Sequence, residues 1–161
     1  MGDRLFGWAS DHLPSTHAHG PRLSADERLD IQQALVRYVY ALDHADLIAM
    51  RDVLSEGASW RIASSAGDAV AVEGREAILE AVDQATSALT AQRRHHLTTV
   101  HVSEQENGEA SAHSYFLLTE STGEASTLLV TGFYEVTLTR TPHGWRIGRI
   151  VVGLDNPAPD A

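Results

Sequence analysis

The chain predicts an α+β domain: a curved antiparallel or mixed sheet with three helices, all from the N-terminal half, packed on one face to form a cone with an internal pocket. Three observations carry this. Apolar residues recur at helical spacing in segments that lie before residue 91; from residue 93 onward the chain is almost continuous strand; and neither an internal repeat nor a low-complexity domain interrupts the order. With 161 residues and 43% hydrophobic content, the chain suits one domain large enough for a core and a pocket. The domain is read over residues 23–154, behind a loosely held polar arm (1–22) and ahead of a disordered tail, 155–161, whose prolines cannot pair in a sheet.

Each element has a local reason. Ser24-Ala25-Asp26-Glu27 is a capping box, and Ile31, Leu35, Tyr38, Val39 and Leu42 follow at helical spacing, so a first helix should run to about Asp43–Ala45. Asp46 then caps a short second helix, LIAMRDVLSE. ASWRIAS and DAVAVEG read as two short strands around a Ser-Ser-Ala-Gly turn, and REAILEAVDQATSALT is an amphipathic third helix after Gly74. Four strands follow at 93–103, 110–120, 126–140 and 145–154, with Asn107-Gly108 and Pro142-His143-Gly144 supplying turns.

Composition narrows the function classes. A formal net charge of −10 disfavours nucleic acid as a partner, because binding the phosphate backbone needs clustered Lys and Arg. Without cysteine there is no disulfide framework, zinc ribbon or thiol nucleophile, so histidine must carry any soft-base chemistry. No apolar run approaches the ~18 residues of a membrane helix, and the opening residues lack the basic-then-apolar order of a secretory signal. A cytoplasmic protein is the expectation. His12, His17 and His19 in the arm lack a period that would fix ligand geometry, and His95 and His101 stand too far apart on a strand to share an ion, so no metal is expected. Nothing resembles a glycine-rich phosphate loop, so no nucleotide cofactor is expected either.

RRHHLTTVHV, residues 93–102, sets two histidines side by side in a strand, where neighbours point to opposite faces; only one of His95 and His96 can look inward. RYVYALDHADLIAMRDVLSEGASWRI, VEGREAILEAV, RRHHLTTVHV, ASAHSYFLL and VTGFYEVTLTRTPHGWRIGRIVV resemble, in order, the segments of the SnoaL-like branch of the nuclear transport factor two-like superfamily. The resemblance covers about residues 24–154 and implies a cone that admits a small hydrophobic or polycyclic metabolite, with a homodimer formed through the open sheet face. Scytalone dehydratase-like lyases of that superfamily pair an aspartate at the end of the first helix with a histidine on the first long strand. The matching positions are Asp43 and His96, which implies a catalytic dyad with His95 turned outward. Tyr38 resembles a tyrosine that donates a hydrogen bond to developing negative charge, and His113 resembles a second pocket histidine. Tyr115, Trp60, Phe116 and Phe133 are the further candidates to line the pocket. Ile62 stands where ketosteroid isomerases carry their aspartate base, which disfavours that mechanism.

The residues support such a dyad independently. Asp43 lies at the edge of the apolar face of its helix, and a carboxylate at the negative end of the helix dipole requires a compensating partner. An imidazole so held could remove a proton from carbon beside an activating group while a leaving group departs from the next carbon. The expected function is therefore a cofactor-independent lyase or dehydratase, isomerase or cyclase. The alternative is a non-catalytic ligand-binding or assembly module of the same fold, such as a dioxygenase small subunit.

Overall fold

The computed structural model describes residues 23–64, 67–105 and 108–156, with the side chains at 64–70 left aside. The arm at 1–22, with its three histidines, and the last residues of the tail, 157–161, lie outside the described residues. The elements run α1 (Ala25–Asp43), α2 (Leu47–Val53), β1 (Leu54–Ser64), β2 (Gly67–Glu73), α3 (Arg75–Ser87), β3 (Gln92–Glu104), β4 (Glu109–Ser121), β5 (Ser126–Thr141) and β6 (Gly144–Leu154).

The capping box forms as the sequence requires. Ser24 Oγ accepts from Glu27 N, and the Glu27 carboxylate accepts from Ser24 N. α1 then buries Ile31, Leu35, Tyr38 and Val39, four residues of one stripe. It ends at Asp43, where the chain turns through Ala45 in the left-handed region at φ 51°, and Asp46 Oδ1 accepts from Ala49 N to start α2. α2 is shorter than expected: its last residues are instead the start of β1, where Leu54 pairs with Ile147. The Arg51 guanidinium grips the Glu76 carboxylate with two hydrogen bonds and ties α2 to α3.

The six strands form one open, mixed sheet in the order β2-β1-β6-β5-β4-β3; β1 and β6 run parallel and every other pair is antiparallel. Helices cover one face. The core lies between α1 and the inner residues of β4, β5 and β6, including Phe116, Tyr134, Val136, Leu138, Ile147 and Ile150. Asp155, placed in the tail by sequence, is bonded to the sheet: its N donates to Thr131 O, and its carboxylate accepts from Thr131 Oγ1 at 2.7 Å.

Register decides what faces the core. On β4 the residues Ala110, Ala112, Ser114 and Phe116 face inward, which puts His113, Tyr115 and Leu117 on the outer face. On β3 the pairing shifts between Thr98 and His101, and the intervening Thr99 takes a φ of 53°, so the strand carries a bulge. His95 and Leu97 face inward before it; Val100 and Val102 face inward after it.

Candidate functional site

The site is built where α1 ends against the start of β3. Gln92 Nε2 donates to Asp43 O at 3.3 Å, pinning strand to helix. The Asp43 carboxylate then meets one residue twice: Oδ2 accepts from His95 N at 2.9 Å, and Oδ1 lies 2.6 Å from His95 Nδ1. Both side chains are largely buried, at 10% and 12% exposure. A carboxylate only accepts, so Nδ1 carries the hydrogen and Nε2 is the ring nitrogen left for a ligand.

His96 does not occupy this place. It lies on the outer face, exposed, with Nε2 3.0 Å from Thr119 Oγ1. The expectation of an Asp43–His96 contact is therefore corrected to Asp43–His95: the bulge at Thr99 breaks the alternation that, counted back from Val102, would put His96 inward.

Aromatic rings enclose the imidazole. Its centroid lies 5.6 Å from Phe116 and 6.2 Å from Tyr134, and those two rings are 4.9 Å apart. Tyr38 meets Tyr134 edge-on at 6.1 Å. Both phenols are fully buried, which pushes each hydroxyl well above its ordinary pKa. For Tyr134 the neighbouring Tyr38 and the Asp43 charge add to burial. For Tyr38 the Trp60 indole N–H opposes the rise. Even so, Tyr38 Oη and Trp60 Nε1 have no hydrogen-bond partner among the described residues, and neither has Ser114 Oγ. Buried polar atoms are ordinarily satisfied, so these three stand out between α1 and the sheet.

Of the residues singled out by sequence, Asp43, Tyr38, Trp60 and Phe116 are brought together on the inner side. His113, Tyr115 and Phe133 are not, which corrects their expected place in the pocket. His113 pairs across the sheet with His101 and Glu135 on the outer face, and Tyr115 is 61% exposed there. Phe133 lies over Gly153 on that same face. Sequence reasoning missed Ser114 and Tyr134 and turned His95 the wrong way. The inward phase of Ala112, Ser114 and Phe116 was the signal for Ser114, but Tyr115 and Leu117 make the opposite face of β4 apolar as well. Among the described residues no three His, Asp or Glu side chains converge as ligands of one metal ion.

An open curved sheet capped by three helices, with an acid–imidazole pair buried against its inner wall, defines a cone-fold domain of the cystatin-like kind. The chain belongs to the SnoaL-like domain family, whose model matches residues 24–151. Solved structures agree on the fold. Aln2 from a Streptomyces species superposes with a TM-score of 0.73 at 24% identity, covering 83% of this chain and 94% of that one. A Catenulispora acidiphila protein in complex with S-DNPA gives 0.71 at 21%, covering 81% and 95%. ActVI-ORFA from Streptomyces coelicolor gives 0.69 at 18%, covering 80% and 96%. No curated protein matches the chain. No helix among the described residues is long and apolar enough to cross a membrane.

Proposed function

We propose that this protein is a cofactor-independent acid–base enzyme of the lyase, isomerase or cyclase type, acting on a mostly apolar small metabolite with His95 as the proton-moving group. The carrying observation is the double grip of Asp43 on His95. One contact fixes the backbone and the other the ring, which lies beside the Phe116 and Tyr134 rings. In this reading Nε2 takes a proton from carbon beside a carbonyl, becoming imidazolium, while the electron pair moves into the enolate. Tyr38 donates a hydrogen bond to the developing oxyanion; its burial keeps it neutral and therefore a donor. The proton then returns to carbon in an isomerisation or leaves with a departing group in an elimination. That S-DNPA is held by a protein of the same fold supports a small-molecule ligand here. The cysteine-free sequence supports a cytoplasmic setting.

The test is proton exchange at the α-carbon of 1-tetralone in D2O, followed by NMR. The intact protein should accelerate it; His95→Ala and Asp43→Asn should lose that acceleration, and His96→Ala should keep it. If the intact protein binds the ketone without accelerating exchange, the non-catalytic binding module is the better reading.

One surface observation favours self-association. Tyr115 and Leu117 are exposed side by side on the outer sheet face, 61% and 41%, beside partly buried Phe133. We read this face as the contact of a homodimer. Leu117→Lys should then convert the sedimenting species to monomer while leaving the exchange reaction measurable.

A further inference from the structure

α1 carries two apolar stripes, and the fold uses one of them. Ile31, Leu35, Tyr38 and Val39 point into the core. On the opposite side of the helix Leu29, Val36 and Tyr40 are 54%, 44% and 65% exposed, and with exposed Gln33 they recur at intervals of four, three and four residues. That spacing is the seam of a two-stranded coiled coil, about 16 Å long, with one polar residue inside it. The Tyr40 ring is already held in place: it stacks on His44 at 4.1 Å, and His44 Nδ1 donates back to Tyr40 O at 2.8 Å. A single exposed apolar side chain needs no explanation, but three in register on one helix face are the pattern of a contact surface.

Charges flank the seam on one side. Asp30 and Arg37, both exposed, directly follow Leu29 and Val36, and neither side chain meets an opposite charge or a hydrogen-bond partner among the described residues. Seven residues separate them, about 10 Å along the axis, too far to pair with each other. The arrangement is self-complementary. When a second α1 lies antiparallel about a two-fold axis between Gln33 and Val36, Leu29 comes opposite Tyr40 of the second copy, Gln33 opposite Val36, and Asp30 beside Arg37, each pair made twice. A parallel pair would set like charges level with one another. We propose that this face of α1 is a docking surface for a second copy of the same chain, an isologous antiparallel helix contact separate from the outer sheet face. Three turns of helix make a small interface beside the roughly 1,600 Å² of a stable complex, so the association is weak and depends on concentration.

The experiment is sedimentation velocity from micromolar to near-millimolar protein, carried out in the Leu117→Lys background so that the outer sheet face contributes nothing. This chain should be monomer at the low end and reach dimer, with no larger species, at the high end. Asp30→Arg and Arg37→Asp, each alone, should weaken the dimer about tenfold, because each places two like-charged pairs across the axis. Both changes together restore the two pairs with reversed sign and should recover affinity to within about threefold of the starting chain. Val36→Lys should abolish association. All three positions are exposed, so every variant should keep its thermal midpoint at low concentration, which separates loss of the contact from loss of the fold. A chain that stays monomeric throughout overturns the proposal, whether the stripe is solvated or covered by another segment of the same chain. So does a dimer that the single exchanges leave unweakened, the result a parallel or shifted pairing would give, or one that the double exchange fails to restore.

Discussion

At Asp43 a single side chain settles two backbone problems and one chemical one. It supplies an acceptor to the His95 N–H, it occupies the end of α1 where a negative charge needs a partner, and it selects the hydrogen-bearing nitrogen of the ring. Asp43→Ala should therefore cost stability as well as chemistry. The His95 N–H would lose its acceptor in a mostly buried place, at about 1–3 kcal/mol, which urea unfolding can measure. Asp43→Asn preserves shape but can present an amide N–H to Nδ1 and so reverse the tautomer. An NMR resonance from the His95 Nδ1–H should be visible in the intact protein at low temperature and absent in this variant. The sequence made Asp43 legible through its helix-end position. It did not reveal which histidine answers it: regular alternation counted back from Val102 and Val100 lands on His96, and one extra residue between Thr98 and His101 moves the inward phase to His95. Tyr38, Trp60 and Phe116 were readable as interior aromatics because burial of large rings is what a core requires. His113, Tyr115 and Phe133 were not readable as outer-face residues, since β4 and β5 carry apolar side chains on both faces and the pattern leaves their phase open.

Among the elements, those governed by short-range chemistry were the most legible. The capping box, the Asp46 cap and the glycine turns at Gly108 and Gly144, with φ of 76° and 97°, act within a few residues and appear where the sequence puts them. Ser24→Ala should cost about 1 kcal/mol, measured as a lower urea midpoint with an unchanged slope. The boundary of α2 was harder, because its end is set by distant β6: pairing of Leu54 with Ile147 draws that residue into the sheet. A long-range constraint of the same kind holds β5 against β6. A Cβ on Gly153 would sit 2.0 Å from the Phe133 ring, so the glycine is required by the ring that covers it. Gly153→Ala should destabilise by roughly 1–3 kcal/mol, and less in a Phe133→Ala background, a coupling that a double-mutant cycle in urea would resolve.

For the molecule as a whole, the sheet order and the parallel β1–β6 contact joining the two ends of the domain follow from pairing over long chain distances, which local pattern does not encode; only the α+β class and the segment order pointed to them. Stability of the whole should respond to alkali through the two interior phenols. Tyr38 and Tyr134 have raised pKa values when folded against an ordinary 10.0, so above about pH 10 the unfolded chain loses phenolic protons that the folded chain keeps. The unfolded state then binds fewer protons, the slope of unfolding free energy with pH is negative, and the stabilisation present below pH 10 is lost as pH rises toward the folded values. Tyr38→Phe should flatten that slope between pH 10 and 11.5 in chemical denaturation, with no change at pH 7 to 9 in the pH dependence. An unchanged alkaline limb would show that the hydroxyl is not sequestered.

Thr99, held at φ 53° with its side chain in solvent, is dispensable to the direction of either histidine. A chain shortened by that residue would regain simple two-residue periodicity along β3, with His95, Leu97, Val100 and Val102 still pointing the same way. What such a deletion would remove is the local bend and added twist of β3. The bulge thus absorbs one surplus residue, and the strand keeps both of its ends in phase with the core.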